Sequence, residues 1–388
     1  MFSSRVPGEL GPNRLTRELA RVRSEGRRII DLTESNPTRC GFSYPKELLA
    51  PLADPRALDY APEPLGLRTA RESVAADFLR RSRPVAAERV VLTASTSEAY
   101  SLLFKLLCDS GDEVLVPRPS YPLFEHLARL ESVLPVSYNI EYHGRWSLDR
   151  ASLVSALSPR TRAILVVNPN NPTGHFASSD DLGHLEALCA ERNLALISDE
   201  VFADFELTKG ASATAGLLPG RDVALSFTLG GLSKSVGLPQ LKLGWMALGG
   251  PTGLVDDALE RLEVACDTCL SVSTPVQIAA PTLLERGGVV RAQICDRVRH
   301  NHRLLIVLAG SVPSCRVLPV DGGWHAIVQV PSRASEEELV LALLTEDGVL
   351  AHPGYFFDFP AESFLVLSLV VPEALFEEGT AKMLRRFS

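Results

Sequence analysis

Four short stretches of the chain carry side chains suited to polar chemistry. Lys234 stands in Gly231-Leu232-Ser233-Lys234-Ser235, among small and apolar residues with few acids nearby. A lysine taken out of water has a lowered pKa and becomes an amine nucleophile for a carbonyl carbon; a solvated Lys in a Gly/Ser loop is the plain alternative. Asp199-Glu200 closes the apolar run Ala195–Ser198. A carboxylate at the end of a buried strand is costly unless a cation or donor faces it, or unless it caps the next segment. Ile164–Phe176 reads ILVVNPNNPTGHF, an apolar run broken by two Asn-Pro pairs. Each proline holds the residue before it extended, so the turn either presents Asn168 and Asn171 as fixed hydrogen-bonding groups or is an ordinary Asn-Pro turn. Finally, Ser95-Thr96-Ser97 follows Val90–Thr93 and opens a helical pattern. Small hydroxyl residues at a helix N-terminus cap it, and with the free amides they also make a phosphate cup.

The elements that must position these groups alternate along the chain. Strands are expected at Val90–Thr93, Glu113–Val116, Leu134–Tyr138, Ala163–Val167, Ala195–Ser198, Val223–Phe227 and Lys242–Leu248. Helical patterns fall at Thr96–Cys108, Tyr121–Arg129, Ser178–Arg192 and Gly253–Leu270. Such alternation predicts an α/β fold with a mainly parallel seven-stranded sheet covered by helices on both faces. After Pro275 the pattern changes to a long helical stretch (Val276–Leu308), strands at Cys315–Pro319, Trp324–Val330 and Phe364–Val370, and a helix at Glu336–Glu346. The expected division is a large domain over residues 46–270 and a smaller α+β domain made of 1–45 with 271–388. In an open α/β sheet, ligands bind beyond the carboxyl ends of the strands, where all four polar stretches lie.

Composition narrows the field. The 388 residues are 46% hydrophobic and 22% charged, ordinary for a chain that buries a core. A net charge of -8 argues against a polyanionic partner, and the basic run Arg297–Arg303 reads as the wet face of a helix. No apolar run reaches the ~20 residues that span a bilayer, and the N-terminal residues lack a secretory h-region. Seven cysteines, an odd number in apolar company, suit reduced thiols in a cytoplasm. The lone CxxC, Cys266 to Cys269, has no second pair and reads as two thiols on a helix, not a zinc site. Neither a P-loop nor a GxGxxG motif stands at a strand-to-helix junction.

Together the polar stretches supply an amine nucleophile, a buried acid, a donor amide and a phosphate cup. Pyridoxal 5'-phosphate needs each of these: a lysine for the Schiff base, an aspartate to keep the ring nitrogen protonated, and an anchored phosphate. In NPNNPTG, SDEVF and GGLSKSVGLPQLKLGW the chain resembles the class I/II aminotransferases, fold-type I pyridoxal phosphate enzymes, in order over nearly its whole length. The resemblance implies that Lys234 carries the cofactor as a Schiff base and shuttles a proton to and from the substrate Cα. It implies that Asp199 pairs with the ring nitrogen and Asn171 with the phenolic oxygen. Tyr121, in PRPSYPLF, would stack on the ring, Ser95, Thr96, Ser97 and Lys242 would lie about the phosphate, and Ser233 would be a further cofactor-binding residue. Tyr60, in DYAPEPLG, would reach the partner subunit's phosphate in a homodimer.

Four positions depart from the family pattern. Lys242 stands where an Arg is usual, so charge is kept without the bidentate fork. Gly231 replaces a phosphate-binding Ser, and Phe202 replaces a Tyr that donates to the phenolic oxygen. Most consequential, Val366 in Leu365-Val366-Leu367-Ser368 occupies the position of the Arg that grips the substrate α-carboxylate. Either the carboxylate is held elsewhere, with Arg39, Lys242 or the backbone near Ser35-Asn36 as candidates, or the substrate is not an ordinary α-amino acid. The expected function is amino transfer between an amino acid or related amine and a keto acid. The alternatives are a lyase, decarboxylase or oxidase of the same fold, or a silent cofactor-binding sensor.

Overall fold

The computed structural model describes residues 2–8, 10–211, 222–361 and 363–388. Its strands, in chain order, are β1 (Ile30–Asp31), β2 (Val90–Thr93), β3 (Glu113–Arg118), β4 (Leu134–Tyr142), β5 (Trp146–Leu148), β6 (Thr161–Val167) and β7 (Ala195–Asp199). They continue as β8 (Ser226–Gly231), β9 (Gly244–Gly249), β10 (Arg316–Val317), β11 (His325–Gln329), β12 (Val349–Leu350), β13 (His352–Pro353) and β14 (Phe364–Ser368).

The large sheet has the order β2-β9-β8-β7-β6-β3-β4-β5. Strands β8, β7, β6, β3 and β4 run parallel to one another, while β9 is antiparallel to both β8 and β2. All seven expected strands are present. An eighth, β5, folds back antiparallel onto β4 after a turn with Gly144 at φ 85. It escaped prediction because it is three residues long and only Trp146 is buried, against Tyr142 and Phe359.

Because β2, β6, β7 and β8 share one direction, their carboxyl ends meet at one edge of the sheet. Helices Thr96–Leu107, Phe124–Leu130 and Thr252–Asp267 bury apolar faces on one side of it. Helices Arg150–Ala156 and Ser179–Arg192 cover the other.

The expected continuous helix over 276–308 is two helices, Thr274–Arg286 and Gly288–Gly310, which meet at Gly287. A Cβ on Gly287 would lie 2.6 Å from Val236 Cβ, so the break lets this corner pack against the loop that follows Lys234. Helix Thr274–Arg286 packs in a cluster with Leu48, Val74, Phe78 and Trp245, on the same side as β2 and β9. A second sheet, β10-β11-β14-β13, is antiparallel. Its core joins the N-terminal helix Arg14–Ser24 and the C-terminal helix Glu373–Arg385. The short β1 pairs with β12, tying the N-terminal segment to this unit.

Strand β8 runs on through Thr-Leu-Gly-Gly, beyond the expected end at Phe227. Glycines weaken a strand, which hides this extension in sequence, but here they are required by close approach. A Cβ on Gly230 would stand 2.5 Å from Trp245 Nε1. Gly230→Ala should therefore overpack this layer and cost about 1–3 kcal/mol, read as a lower urea midpoint. Gly183→Ala, in a helix where nothing lies within 4 Å, should raise the midpoint by about 1 kcal/mol of stability. Equal effects at both sites would remove the packing argument.

Candidate active site

A cavity of about 350 Å³ opens at the carboxyl edge of the large sheet. Ser95, Thr96, Ser97, Tyr121, Asn171, Asp199, Ser233 and Lys234, eight of the residues singled out in the sequence, line it together. Each reaches it by a local device. Ser95 is the N-cap of helix Thr96–Leu107; its hydroxyl accepts from the Glu98 amide at 3.2 Å. The amides of Thr96 and Ser97 begin that helix and have no intrahelical acceptor, so they are free for an anion. A Cβ on Gly244 would lie 2.9 Å from the Ser95 carbonyl carbon and 3.1 Å from the Thr96 nitrogen. The bare glycine thus lets β9 run directly beneath the cup.

The Asn-Pro turn divides its labour. Asn168 accepts from the Ala177 amide at 2.9 Å, and Asn170 donates to the Pro119 carbonyl and the Thr173 hydroxyl, each at 3.0 Å. Both fasten the turn. Asn171 lines the cavity, and its buried Oδ1 has no hydrogen-bond partner. The bonds to Pro169 and Pro172 are both cis.

Lys234 and Asp199 are the charged groups at the centre. Burial pushes the Lys234 ammonium down to about 8, against the opposing pull of Asp199. Its Nζ lies 4.9 Å from the centre of the Trp324 ring and 5.5 Å from that of Phe202. Burial pushes the Asp199 carboxyl up, while a hydrogen bond from Tyr100, the Val201 amide and the Lys234 charge favour the carboxylate. The Tyr100 hydroxyl donates to Asp199 Oδ2 at 2.8 Å and the Val201 amide to Oδ1 at 3.1 Å. Tyr100 was not foreseen. It stands one helical turn beyond Thr96, on the same face, and that spacing is the signal that could have found it.

Two expected cofactor-binding residues stand apart from the cavity. Lys242 is exposed in a left-handed conformation (φ 54) after the turn Pro239–Leu241, and its neighbour Leu243 lines the cavity instead. Tyr60 is 82% exposed and borders a separate cavity of about 180 Å³ with Glu63, Cys266 and Cys269. Of the carboxylate candidates, Ser35 lines the main cavity. Arg39 is exposed beside Glu34, and Asn36 caps its own turn through the Thr38 amide.

The departures also find reasons. A side chain on Gly231 would press on the Leu243 carbonyl oxygen at 3.2 Å and Gly244 Cα at 3.3 Å, which leaves little room for a Ser. Phe202 lines the cavity and packs its ring edge-on to Trp324, 5.4 Å between centres. Val366 is fully buried in a cluster with Leu318, Ile327, Phe357 and Phe359. Among the described residues, the cavity lining includes no arginine.

A family model described as aminotransferase class I and II matches residues 45–380. The chain belongs to that family. Glutamate-pyruvate aminotransferase AlaA of Escherichia coli (strain K12) is 27% identical over 363 residues, covering 91% of this chain and 89% of its own. Alanine aminotransferase of Mycobacterium tuberculosis (strain H37Rv) is 30% identical over 365 residues, covering 90% and 83%. A crystal structure of an Escherichia coli aminotransferase superposes with a TM-score of 0.86 at 26% identity, covering 100% of this chain and 98% of that one. The protein is a pyridoxal 5'-phosphate-dependent aminotransferase of fold type I.

The residues present fit that cofactor. An amine and a carboxylate are buried in one cavity, the Asn171 amide lines it, and a helix N-terminus with two further hydroxyls offers free donors. The lowered pKa of Lys234 sets a pH dependence. Its neutral, nucleophilic form prevails above about 8, so apo-protein should bind pyridoxal phosphate faster as pH rises through 8, not through the ordinary lysine range near 10.5. Stopped-flow absorbance in the visible region checks this, and a rate still climbing steeply between pH 9 and 10.5 would contradict it. Tyr100→Phe removes a donor from the carboxylate and should weaken cofactor retention on dialysis by about tenfold.

Proposed function

We propose that this cavity is the transamination site, with Lys234 as the amine that engages the cofactor aldehyde. Asp199 would face the ring nitrogen, Asn171 the phenolic oxygen and Tyr121 the ring face. Ser95, Thr96, Ser97 and Ser233 would receive the phosphate. When bound, the cofactor supplies the electron sink that lets an amino group pass between an amino acid and a keto acid.

The chain's own residues supply the rest. Burial lowers the pKa of Lys234 Nζ to about 8, so it can take a proton from the substrate Cα and return it more readily than an ordinary lysine. Tyr100 and Val201 favour the Asp199 carboxylate against the burial that raises its pKa, so that it would pair with a protonated ring nitrogen. The Phe202 and Trp324 rings screen Nζ from bulk water on one side. The observation that carries this reading is the joint burial of Lys234 and Asp199 in one cavity, each biasing the other's ionisation.

We also read the enzyme as a homodimer in which Tyr60 completes the partner's phosphate site. The exposure of this phenol in a single chain supports that arrangement. Seven cysteines without a disulfide among them favour a reducing compartment, the cytoplasm. No helix of the described residues is long and apolar enough to cross a membrane.

Borohydride treatment of the holoenzyme should place a reduced pyridoxyl group on the peptide carrying Lys234, seen by mass spectrometry. Lys234→Ala should lose that label and reduce turnover by about 10²–10⁴ or more, with alanine, glutamate and pyruvate as the starting panel. Asp199→Asn should keep the label and lose turnover. A label on another lysine would sink the assignment. Tyr60→Phe should weaken cofactor binding without changing the molecular mass in light scattering; a monomer in wild type would remove the partner role.

A further inference from the structure

An amino acid and a keto acid both bring a carboxylate, yet the family's arginine is replaced by a buried Val366 and, among the described residues, no arginine lines the cavity. Two imidazoles stand where that charge must go. His352 on β13 lies directly opposite Val366 on β14, and His325 on β11 lies opposite Ser368. Directly paired residues, and residues two apart along a strand, share a face of the sheet. His325, Val366, Ser368 and His352 therefore occupy one face, and both histidines line the cavity beside Lys234.

Aromatic rings fix their placement. The His325 ring centre is 6.3 Å from Phe357 and 6.4 Å from Phe202. That of His352 is 5.7 Å from Phe357 and 5.9 Å from Phe356. Lys234 and His352 both lie close enough to bias His325 electrostatically. The apolar shelf of Val366 and Phe357 thus carries an imidazole on either side.

We propose that His325 and His352, with Ser35 in the lining of the same cavity, form the anchor for the substrate carboxylate, replacing one guanidinium by two imidazole N–H donors. The proposal rests on the reading of Lys234 as the cofactor lysine. Burial lowers the pKa of both histidines, that of His325 to about 3, so both are neutral at pH 7. A neutral imidazole still donates one N–H, and a bond from it to a carboxylate is charge-assisted. Such an anchor is weaker than a bidentate Arg but brings no second cation beside Lys234. The wall suits a carboxylate attached next to the reacting carbon, because the imidazoles and Lys234 face the same space.

The test uses two carbonyl reagents that need no knowledge of the natural substrate. Aminooxyacetate carries a carboxylate and O-methylhydroxylamine does not; both discharge the visible cofactor band. Their rate ratio on the wild-type holoenzyme, divided by the ratio on free pyridoxal phosphate, measures recognition of the carboxylate. This quotient should be about tenfold or more. In His325→Phe/His352→Phe it should fall to near one, and in the Asn counterparts, which keep an N–H donor, part of it should return. A quotient near one in wild type, or one unchanged in the double Phe variant, overturns the anchor. Borohydride labelling of Lys234 in every variant separates this outcome from failure of the lysine assignment. Without that label, the site reading has failed first and the anchor falls with it.

Discussion

The active site depends on burying an amine and a carboxylate in the same small cavity. Burial alone would discharge both, lowering the pKa of Lys234 and raising that of Asp199. The structure does not let the effect run to completion. The Asp199 oxygens receive a phenol and an amide, and the two charges favour one another. The amine is left with a pKa of about 8, while the donors oppose the rise that burial imposes on the acid. A group that must both give and take a proton works best near its midpoint. A counter-charge works best well away from its own. One cavity serves both because the donors are given to the acid alone, while the amine is faced by aromatic rings.

The sheet makes this asymmetry affordable. Parallel strands deliver their carboxyl ends to one edge, so the cup after β2, the Asn turn after β6, the acid ending β7 and the lysine after β8 arrive with little further adjustment. Close approach then decides the glycines. Gly230, Gly231 and Gly244 each stand where a Cβ would meet Trp245, Leu243 or the backbone of the cup. This layer of bare backbone draws β8, β9 and the helix at Thr96 together. The exchange of the family's Ser for Gly231 is a consequence of that closeness.

What could be read from the sequence were features with local causes. Alternating apolar runs gave all seven long strands of the large sheet, and a hydroxyl N-cap, an Asn-Pro turn and a terminal acid marked the strand ends. What escaped was set by distant contacts. Strand β5 exists through its pairing with β4, and the helix break at Gly287 through contact with Val236. Tyr100 gains its role from Asp199, which arrives from another strand. Lys242 fits the family's register, but its left-handed turn leaves it outside the cavity of its own chain. Both histidines carry no motif, and only the pairing of β13 and β11 with β14 brings them to the position of the missing arginine.

The loss of that arginine is not a single exchange that could be undone alone. At position 366 the side chain is enclosed by Leu318, Ile327, Phe357 and Phe359 and is fully buried. A guanidinium placed there would leave water without a carboxylate partner until substrate arrived, and an unpaired buried charge is among the most costly changes a core can suffer. Its partner across the sheet on β13 would be the neutral imidazole of His352, which offers it no anion. Phe357 therefore does two things: it shares the apolar cluster of Val366 and lies against both imidazoles at the cavity. An arginine-based anchor and this apolar shelf are alternative solutions to one problem, and the shelf has committed the neighbouring residues to neutral recognition. Substrate preference in this enzyme should then follow the shape of the aromatic wall more than the count of substrate charges, since His325 and His352 answer them as neutral donors.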